Sequence, residues 1–450
     1  MEYPDDTIAA LATPPGRGGV GIIRVSGAGV KFIIQTVLNQ DLIPRKACLL
    51  PFLDENGQTL DSGIAIFFKG PHSFTGEDVL ELHGHGGPIV LDLVLKRVLS
   101  CDVRIAKPGE FSQRAFLNDK IDLAQAEAVA DLINASTEQA ARMATRSLQG
   151  EFSQEVNGIF ESLVHLRMYV ESAIDFPEEE IDFLNDSSIS EGISSVITDL
   201  NRLLANAQQG ALLQEGYNIV IAGRPNAGKS SLLNALAKRE TAIVTELPGT
   251  TRDVIREQIT IDGLPINIID TAGIRKSDNL VEKIGIERAH QEIKQADLVL
   301  IVIDSSANKC GDLHDIIDEI PKGLPILIAF NKCDLRQESP RLEKMDQRDA
   351  VHLSVKHHQG LDLLKSLIKK YAGYDSEQPG LFLARRRHIE ALTETLEHVY
   401  RGQHVYQNNK SGELLAEELR LAQHSLSEIT GTFSTEDLLG RIFSSFCIGK

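Results

Sequence analysis

The chain has 450 residues, with 46 Lys and Arg against 64 Asp and Glu, a net charge of −18. That length exceeds a single hydrophobic core and predicts two or three domains, and the acidic balance excludes a generic nucleic-acid binder, so any RNA contact requires a local basic patch or a partner protein. No apolar run reaches the roughly 18 residues of a membrane span, the acidic start lacks the pattern of a secretory signal, and the cysteines Cys48, Cys101, Cys310, Cys333 and Cys447 form no C-x-x-C pair, which predicts a reducing cytoplasm and no zinc site.

Residues 1–118 read as an α+β domain. Thr7-Ile-Ala-Ala-Leu-Ala, residues 20–25, Gly63-Ile-Ala-Ile-Phe-Phe and Val79-Leu-Glu-Leu-His are strand-like, and residues 30–38 carry a helical pattern. Gly/Pro clusters such as Pro14-Pro-Gly-Arg-Gly-Gly supply turns. His83 and His85 would share one face of a strand. No third ligand accompanies them in the sequence, so turn chemistry is favoured over a metal. Arg24 and Glu81 are charges set among apolar strand residues, where solvated strand ends are the bland alternative to a ligand site.

From residue 119 the period becomes helical. Leu123, Ala126, Val129 and Leu132 recur at three- and four-residue intervals, and further stretches follow around Phe152 to Val170 and Ile193 to Leu213. The pattern resumes after Pro379 with Ile389, Leu392, Leu396 and Val399, then Leu415, Leu419, Ala422 and Leu426. Each apolar face needs a partner. One helical bundle built from residues 119–215 and 375–450, with residues 216–374 inserted, satisfies them together. Arg385-Arg-Arg-His388 is the densest basic run, read as a solvated helix start or as an RNA or phosphate contact.

The inserted segment opens with a β-branched run ending at Gly223, then Asn226, Ala227, Gly228, Lys229, Ser230 and Ser231 and a helical pattern. G-x-x-x-x-G-K-S between strand and helix is a phosphate loop, whose backbone amides and helix N-terminus cradle phosphate oxygens. Lys229 should reach the β- and γ-phosphates, and Ser230 should hold Mg²⁺. The mobile-loop candidate follows as Thr245, Glu246, Leu247, Pro248, Gly249, Thr250 and Thr251, with Thr251 the residue that can close on Mg²⁺. A buried strand ends in Asp270, Thr271, Ala272 and Gly273, where the carboxylate suits the Mg²⁺ shell and the glycine amide the γ-phosphate. Another ends in Asn331, Lys332 and Asp334. Asp334 can accept two hydrogen bonds from guanine that adenine cannot donate, and Ser354 can approach the guanine oxygen. Ile274 stands where Ras-like GTPases have a water-orienting glutamine. Asn226, as ligand of a monovalent cation, and Glu282, as water-orienting base, are the candidate replacements, with Arg252 and Arg275 as alternative cations.

The whole pattern resembles the MnmE (TrmE) family of potassium-activated GTPases of tRNA wobble-uridine modification. The resemblance rests on Ala12-Thr-Pro-Pro-Gly-Arg-Gly-Gly-Val-Gly21, Phe74-Thr-Gly-Glu-Asp-Val79, Pro108-Gly-Glu-Phe111, residues 223–231, Gly249-Thr-Thr-Arg-Asp253 and Phe446-Cys-Ile-Gly-Lys450. It implies a folate-binding N-terminal domain that dimerises (1–118), a helical domain in two parts (119–215 and 375–450) and an inserted Ras-like G domain (216–374). It further implies a flavin-dependent partner, tRNA as substrate, and a tetrahydrofolate such as the 5-formyl form held by Arg24, Glu81, Lys120 and Lys450. Thr245, Leu247 and Thr250 would join Asn226 around potassium, Glu282 would be the catalytic glutamate, and Cys447 would lie near the folate as a possible thiol. Pro248 and Val355 replace alanines common in the family. As a prenylation box, Cys447-Ile-Gly-Lys450 fits poorly.

These readings converge on a GTP-hydrolysing enzyme that helps install an aminomethyl or carboxymethylaminomethyl group on C5 of the wobble uridine. Two alternatives are an RNA-binding or ribosome-assembly GTPase switch, and a folate-dependent one-carbon transferase with a regulatory G domain.

Overall fold

The structure, a computed structural model, describes residues 6–175, 187–237, 256–270, 296–306, 311–318, 320–374, 382–409, 411–432, 436–444, 446 and 449. The chain divides into two units, Met1–Ala130 with Gln423–Lys450, and Asp131–Ala422.

The first unit contains a six-stranded sheet in the order β3-β4-β5-β2-β1-β6. Its strands are β1 Ile8–Leu11, β2 Gly21–Ser26, β3 Cys48–Leu53, β4 Thr59–Phe68, β5 Val79–Gly84 and β6 Arg104–Ile105. Alternation assigns the two faces. Ile23, Val25, Ala65, Phe67, Leu80 and Leu82 point into a core with Ile33, Val37, Val94 and Val98 from the helical segments 30–38 and Pro88–Leu99. Arg24 and Glu81 take the opposite parity. The antiparallel register places them directly across from one another. β3 was not legible in the sequence: Cys-Leu-Leu-Pro-Phe-Leu neither alternates nor tolerates a central position, and it lies at the sheet edge, where proline is allowed.

Two motif segments, around Glu77 and Glu110, are joined by an ion-pair network. Arg114, nearly fully buried, donates to Glu77 Oε1 at 3.0 Å, Asp6 Oδ1 at 2.7 Å and Glu110 Oε1 at 3.1 Å. Arg104 pairs with Asp6 and with Glu110 Oε2, the latter at 2.8 Å. Ser26 Oγ donates to Glu77 Oε2 at 2.6 Å and lies 2.7 Å from Thr75 Oγ1. Burial pushes the Glu110 carboxyl up, but hydrogen bonds from Arg104, the Lys107 amide and Arg114 outweigh it and hold the group below the usual carboxylate range. Burial likewise opposes, and Arg104 and Arg114 again outweigh, in lowering Asp6.

The second unit holds a seven-stranded sheet in the order β12-β13-β11-β10-β7-β9-β8. The strands are β7 Tyr217–Ala222, β8 Arg256–Ile261, β9 Leu264–Asp270, β10 Leu298–Asp304, β11 Ile326–Asn331, β12 Arg341–Met345 and β13 Arg348–His352. The five central strands are parallel, and β8 and β12 pair antiparallel at the two edges. Buried on both faces, β10 reads as a continuous apolar run, Leu-Val-Leu-Ile-Val-Ile, as parallel strands do. The last strand ends two residues before the expected Ser354, which instead bridges Gln359.

Helices from before and after this sheet in the chain pack together, while residues 119–130 and 423–450 of the expected bundle fall in the first unit. The helix Arg386–Asn409 packs along Ser187–Glu215, which also packs on Glu151–Asp175. Where the chain returns, Leu383 N donates to Ser147 Oγ at 3.0 Å, and the Phe152 and Phe382 rings lie 4.6 Å apart. A Cβ at Gly210 would collide with the Phe382 carbonyl, so the close helix approach requires glycine there. The basic run at 385–388 turns partly inward. Arg385 pairs with Asp131 at 2.6 Å, buried His388 accepts from the Arg385 amide at 3.1 Å and lies tilted against the Phe152 ring, and Arg386 pairs with Glu390.

The acidic network sets a prediction for the first unit. Glu110→Gln removes the charge between two arginines, and breaking a buried pair from one side costs about 3–5 kcal/mol. Because Asp6 and Glu110 are depressed in the folded state, their stabilisation is present above the ordinary carboxylate range and is lost as pH falls through their lowered values, below about 4. Urea titrations of wild type and variant between pH 3 and 7 should show the difference shrinking on the acid side; a constant difference would contradict it.

Candidate functional site

The strand β7 runs into a loop whose backbone is shaped by three special positions. Gly223 and Gly228 have φ of 145° and 97°, and Asn226 sits in the left-handed region at φ 64°. A Cβ on Gly223 would meet the Val302 carbonyl, and one on Gly228 the Asn331 amide. Glycine is therefore required by close approach as well as by φ. The helix Lys229–Ala237 begins directly after, aiming its free amides at the loop. Lys229 Nζ donates to the Gly223 carbonyl at 2.6 Å and the Arg224 carbonyl at 3.2 Å. Its ammonium therefore lies at the mouth of the loop. Ser230 and Ser231 are exposed on the first turn, where the Ser230 hydroxyl fits a hard cation bound beside a phosphate.

Three further segments come to this loop. Asn331, 3% exposed, donates from Nδ2 to the Ala227 carbonyl at 2.9 Å, while its Oδ1 accepts from the Lys332 and Val355 amides at 2.8 and 3.1 Å. Lys332 Nζ donates to the Asn226 carbonyl at 2.9 Å and to Asp304 Oδ2 at 2.6 Å. Ser354 Oγ donates to Asp334 Oδ1 at 2.6 Å, which holds the Asp334 carboxyl below its usual range, and His357 lies 3.7 Å from the other oxygen. A cleft of about 490 Å³ is lined by Gly228, Ser231, Lys332, Asp334 and Val355 among others. That volume suits a nucleoside-sized ligand, and an ionised Asp334 presents acceptors only.

A second polar cluster lies on the first unit's sheet. Arg24 Nε donates to Glu81 Oε1 at 2.9 Å, and His83 Nε2 lies 3.1 Å from Glu81 Oε2. The Arg24 guanidinium sits over the rings of Phe74 and Phe111, at 5.9 and 5.7 Å from their centroids. It also donates to the Gly449 carbonyl at 3.4 Å. Gly449, with φ 94°, approaches the Leu11 carbonyl too closely for any Cβ. Lys120 is exposed, with its Cε close against Gly76 of the loop that carries Phe74. His83 and His85 do not converge, because β5 ends at Gly84 and His85 Nδ1 turns to Asp61 Oδ1 at 2.7 Å. Among the described residues no group of His, Cys, Asp and Glu forms a metal cluster.

The model of the MnmE helical domain matches residues 123–447, and that of the GTP-binding protein TrmE N-terminus matches residues 7–120. The chain belongs to the MnmE/TrmE family. Membership gives the coarse assignment, a GTPase of tRNA modification. Among solved structures, the G domain of the T. maritima FeoB iron transporter is 29% identical, covering 35% of this chain and 98% of that one, with TM-score 0.26. The FeoB G domain from Methanococcus jannaschii is 24% identical over 35% and 97%, with TM-score 0.26. A GTP-binding protein from Sulfolobus solfataricus in complex with GDP is 17% identical over 63% and 77%, with TM-score 0.27.

Of the residues singled out from the family motifs, Arg24 and Glu81 are brought together, and Asn226, Lys229, Asn331, Lys332, Asp334 and Ser354 converge around one cleft. Thr245 to Thr251, Thr271 to Gly273, Glu282, Cys447 and Lys450 lie outside the described residues, as does the side chain of Asp270, whose backbone ends β9. Sequence reading missed Asp304 and Ser305. Ser305 Oγ and N both donate to the Asn331 carbonyl, at 2.6 and 2.9 Å. The only signal for them was position, at the end of an apolar strand beside the one that ends in Asn331.

An ionised Asp334 beside this cleft predicts a preference for guanine. GTP should bind about 10⁴-fold better than ATP, since adenine would leave the carboxylate unpaired. Asp334→Asn should weaken GTP and strengthen xanthosine triphosphate, measured by calorimetry. Equal affinities for GTP and ATP in wild type would refute the assignment.

Proposed function

We propose that this protein hydrolyses GTP to drive a modification of the wobble uridine of certain tRNAs, working with a flavin-dependent partner and a tetrahydrofolate one-carbon unit. The observation that carries the GTPase reading is the convergence of Asn331, Lys332, Asp334 and Ser354 on the phosphate loop. The Arg24–Glu81 pair under the tail residue Gly449 supports the folate reading. A pterin offers N–H donors to Glu81, and a glutamate tail offers carboxylates to cations, for which Lys120 and Lys450 are assigned. Cys447 would stand beside them as a thiol of the site. The proposed division is a folate-binding and dimerisation domain at 1–118, a helical domain at 119–215 and 375–450, and the G domain at 216–374. The protein would act as a cytoplasmic homodimer. No described helix is long and apolar enough to cross a membrane.

In the G domain, water attacks the γ-phosphorus in line and GDP leaves. Lys229 and the amides of the loop hold the β- and γ-phosphate oxygens. Glu282 orients the water in place of the absent glutamine. Ser230, with Thr251 and Asp270, would hold Mg²⁺; Asn226, with Thr245, Leu247 and Thr250, would hold K⁺. When bound, these cations neutralise charge developing on the phosphate oxygens, the role an arginine finger fills elsewhere.

Three experiments test this reading. Single-turnover hydrolysis should be faster in potassium than in sodium by a factor on the order of 10³, the range of an arginine finger. Asn226→Ala should lose that activation while retaining much of its nucleotide affinity. Glu282→Ala should retain potassium-dependent pairing of G domains with GDP–aluminium fluoride yet hydrolyse slowly. Equal wild-type rates in the two salts would reject the cation mechanism. For the other site, Arg24→Ala should lower 5-formyl-tetrahydrofolate binding at least tenfold, roughly the value of one charged hydrogen bond, with GTP hydrolysis unchanged; unaltered binding removes Arg24 from it. Mass spectrometry of wobble nucleosides in a deletion strain tests the tRNA assignment directly.

A further inference from the structure

The phosphate loop is held from the base-recognition segment by two bonds of different kinds. One is neutral and buried, from Asn331 Nδ2 to the Ala227 carbonyl. The other is the Lys332 ammonium on the Asn226 carbonyl. A lysine on a four-carbon stem, one-third exposed, does not stay on a single carbonyl unaided. What fixes it is Asp304. This residue ends β10 and is paired in register with Asn331 on β11. Its two oxygens are divided. Oδ1 accepts from Ser306 N and Oγ at 2.9 and 2.6 Å, and Oδ2 accepts from Lys332 Nζ at 2.6 Å. Lys332 and Asn226 are both in the left-handed region, at φ 65° and 64°. Such conformations are unfavourable for residues with a side chain and persist where surrounding bonds enforce them.

We propose that Asp304 is the positioning residue that ties base recognition to the phosphate loop, acting through the Lys332 ammonium. It is not among the residues that line the cleft. Its carboxylate, set by Ser306, holds Lys332, and Lys332 holds the Asn226 peptide whose following amides face the phosphates. With that charge gone, Lys332 is free to leave the carbonyl and the Asn226 peptide to turn. The loss falls most on the part of the ligand that sits inside the loop, the β-phosphate, and least on the base, which keeps Asp334. The inference rests on the nucleotide reading of this cleft and adds a residue to it.

The test is competition of GDP and of GMP against a fluorescent GDP, using the full chain. Asp304→Asn keeps the shape and removes the charge. It should weaken GDP about tenfold and GMP no more than about twofold, the scale of coupling between residues in one network. In a Lys332→Met background, Asp304→Asn should add nothing further. Ser306→Ala, which removes the hydroxyl bond to Oδ1 and keeps that of the backbone amide, should give the same pattern with smaller size, and carries the test if Asp304→Asn does not fold. Equal losses for GDP and GMP, no loss, or the same loss with Lys332 already replaced would overturn the proposal while leaving the nucleotide reading intact. A wild-type chain that binds neither nucleotide would overturn both.

Discussion

The nucleotide cleft depends on one side chain, the carboxamide of Asn331. It is buried, and both of its ends are used: the nitrogen holds the phosphate loop at Ala227, and the oxygen holds its own turn at Lys332 and the segment after Ser354 at Val355. An amide presents donors and acceptors together, which neither a carboxylate nor a leucine of the same size can do. Each of the three loops would otherwise expose an unpaired backbone group at the sheet edge, at a cost of about 1–3 kcal/mol apiece. The same contact explains Gly228, since any Cβ there would strike the Asn331 nitrogen. The loop, the turn from Asn331 to Asp334 and the serine turn are thus one object, assembled at the carboxyl ends of β7, β11 and β13, where open parallel sheets place their ligands.

The nucleotide-binding half was legible because its physics is local. A phosphate loop announces itself by glycine spacing, and the strands of a parallel sheet are continuous apolar runs. What could not be read were the parts that depend on pairing at a distance. The hairpin strands β8 and β12 are edge pieces with mixed composition, Arg-Glu-Gln-Ile-Thr-Ile and Arg-Leu-Glu-Lys-Met, which become strands because a neighbour offers free backbone groups. Asp304 and Ser305 carry no motif. Their role arises when β10 and β11 are set side by side, bringing two strand ends within hydrogen-bond reach.

The first unit uses a different strategy. Arg24 and Glu81 are 57 residues apart and meet because β2 and β5 pair antiparallel in one register. A slip of one residue in either strand would turn that strand's charge into the core and leave its partner unpaired. Parity made them conspicuous in the sequence, as charges within apolar strands, but only the register joins them. The motif around Glu77 and Glu110 has another part in this. Its members mostly face the buried arginine network, which pins the loop bearing Phe74 and Thr75 against the sheet. Much of what made those segments distinctive is therefore structural support for the Arg24 site.

In the second unit, helices and sheet are joined by the far end of β9. Asp270 closes that strand at the nucleotide edge, and Leu264 opens it. The turn before it, at Asp262 and Gly263, lies against Gln139 and Tyr374, whose hydroxyl donates to Gln139 at 3.0 Å, while Lys369 pairs with Asp262. Met143, Leu213 and Leu264 share one core. β9 has seven residues, about 23 Å at 3.3 Å per residue, and is bonded to β7 and β8 along its two edges. A strand held on both sides does not slide alone. A displacement at Asp270 can reach the helices only if β8 and β9 move together, pivoting on the turn at Asp262 and Gly263. This edge of the sheet is suited to carry a change of nucleotide state, because β9 closes on Asp270 and its opening turn packs against Gln139 of the helix Glu138–Leu148.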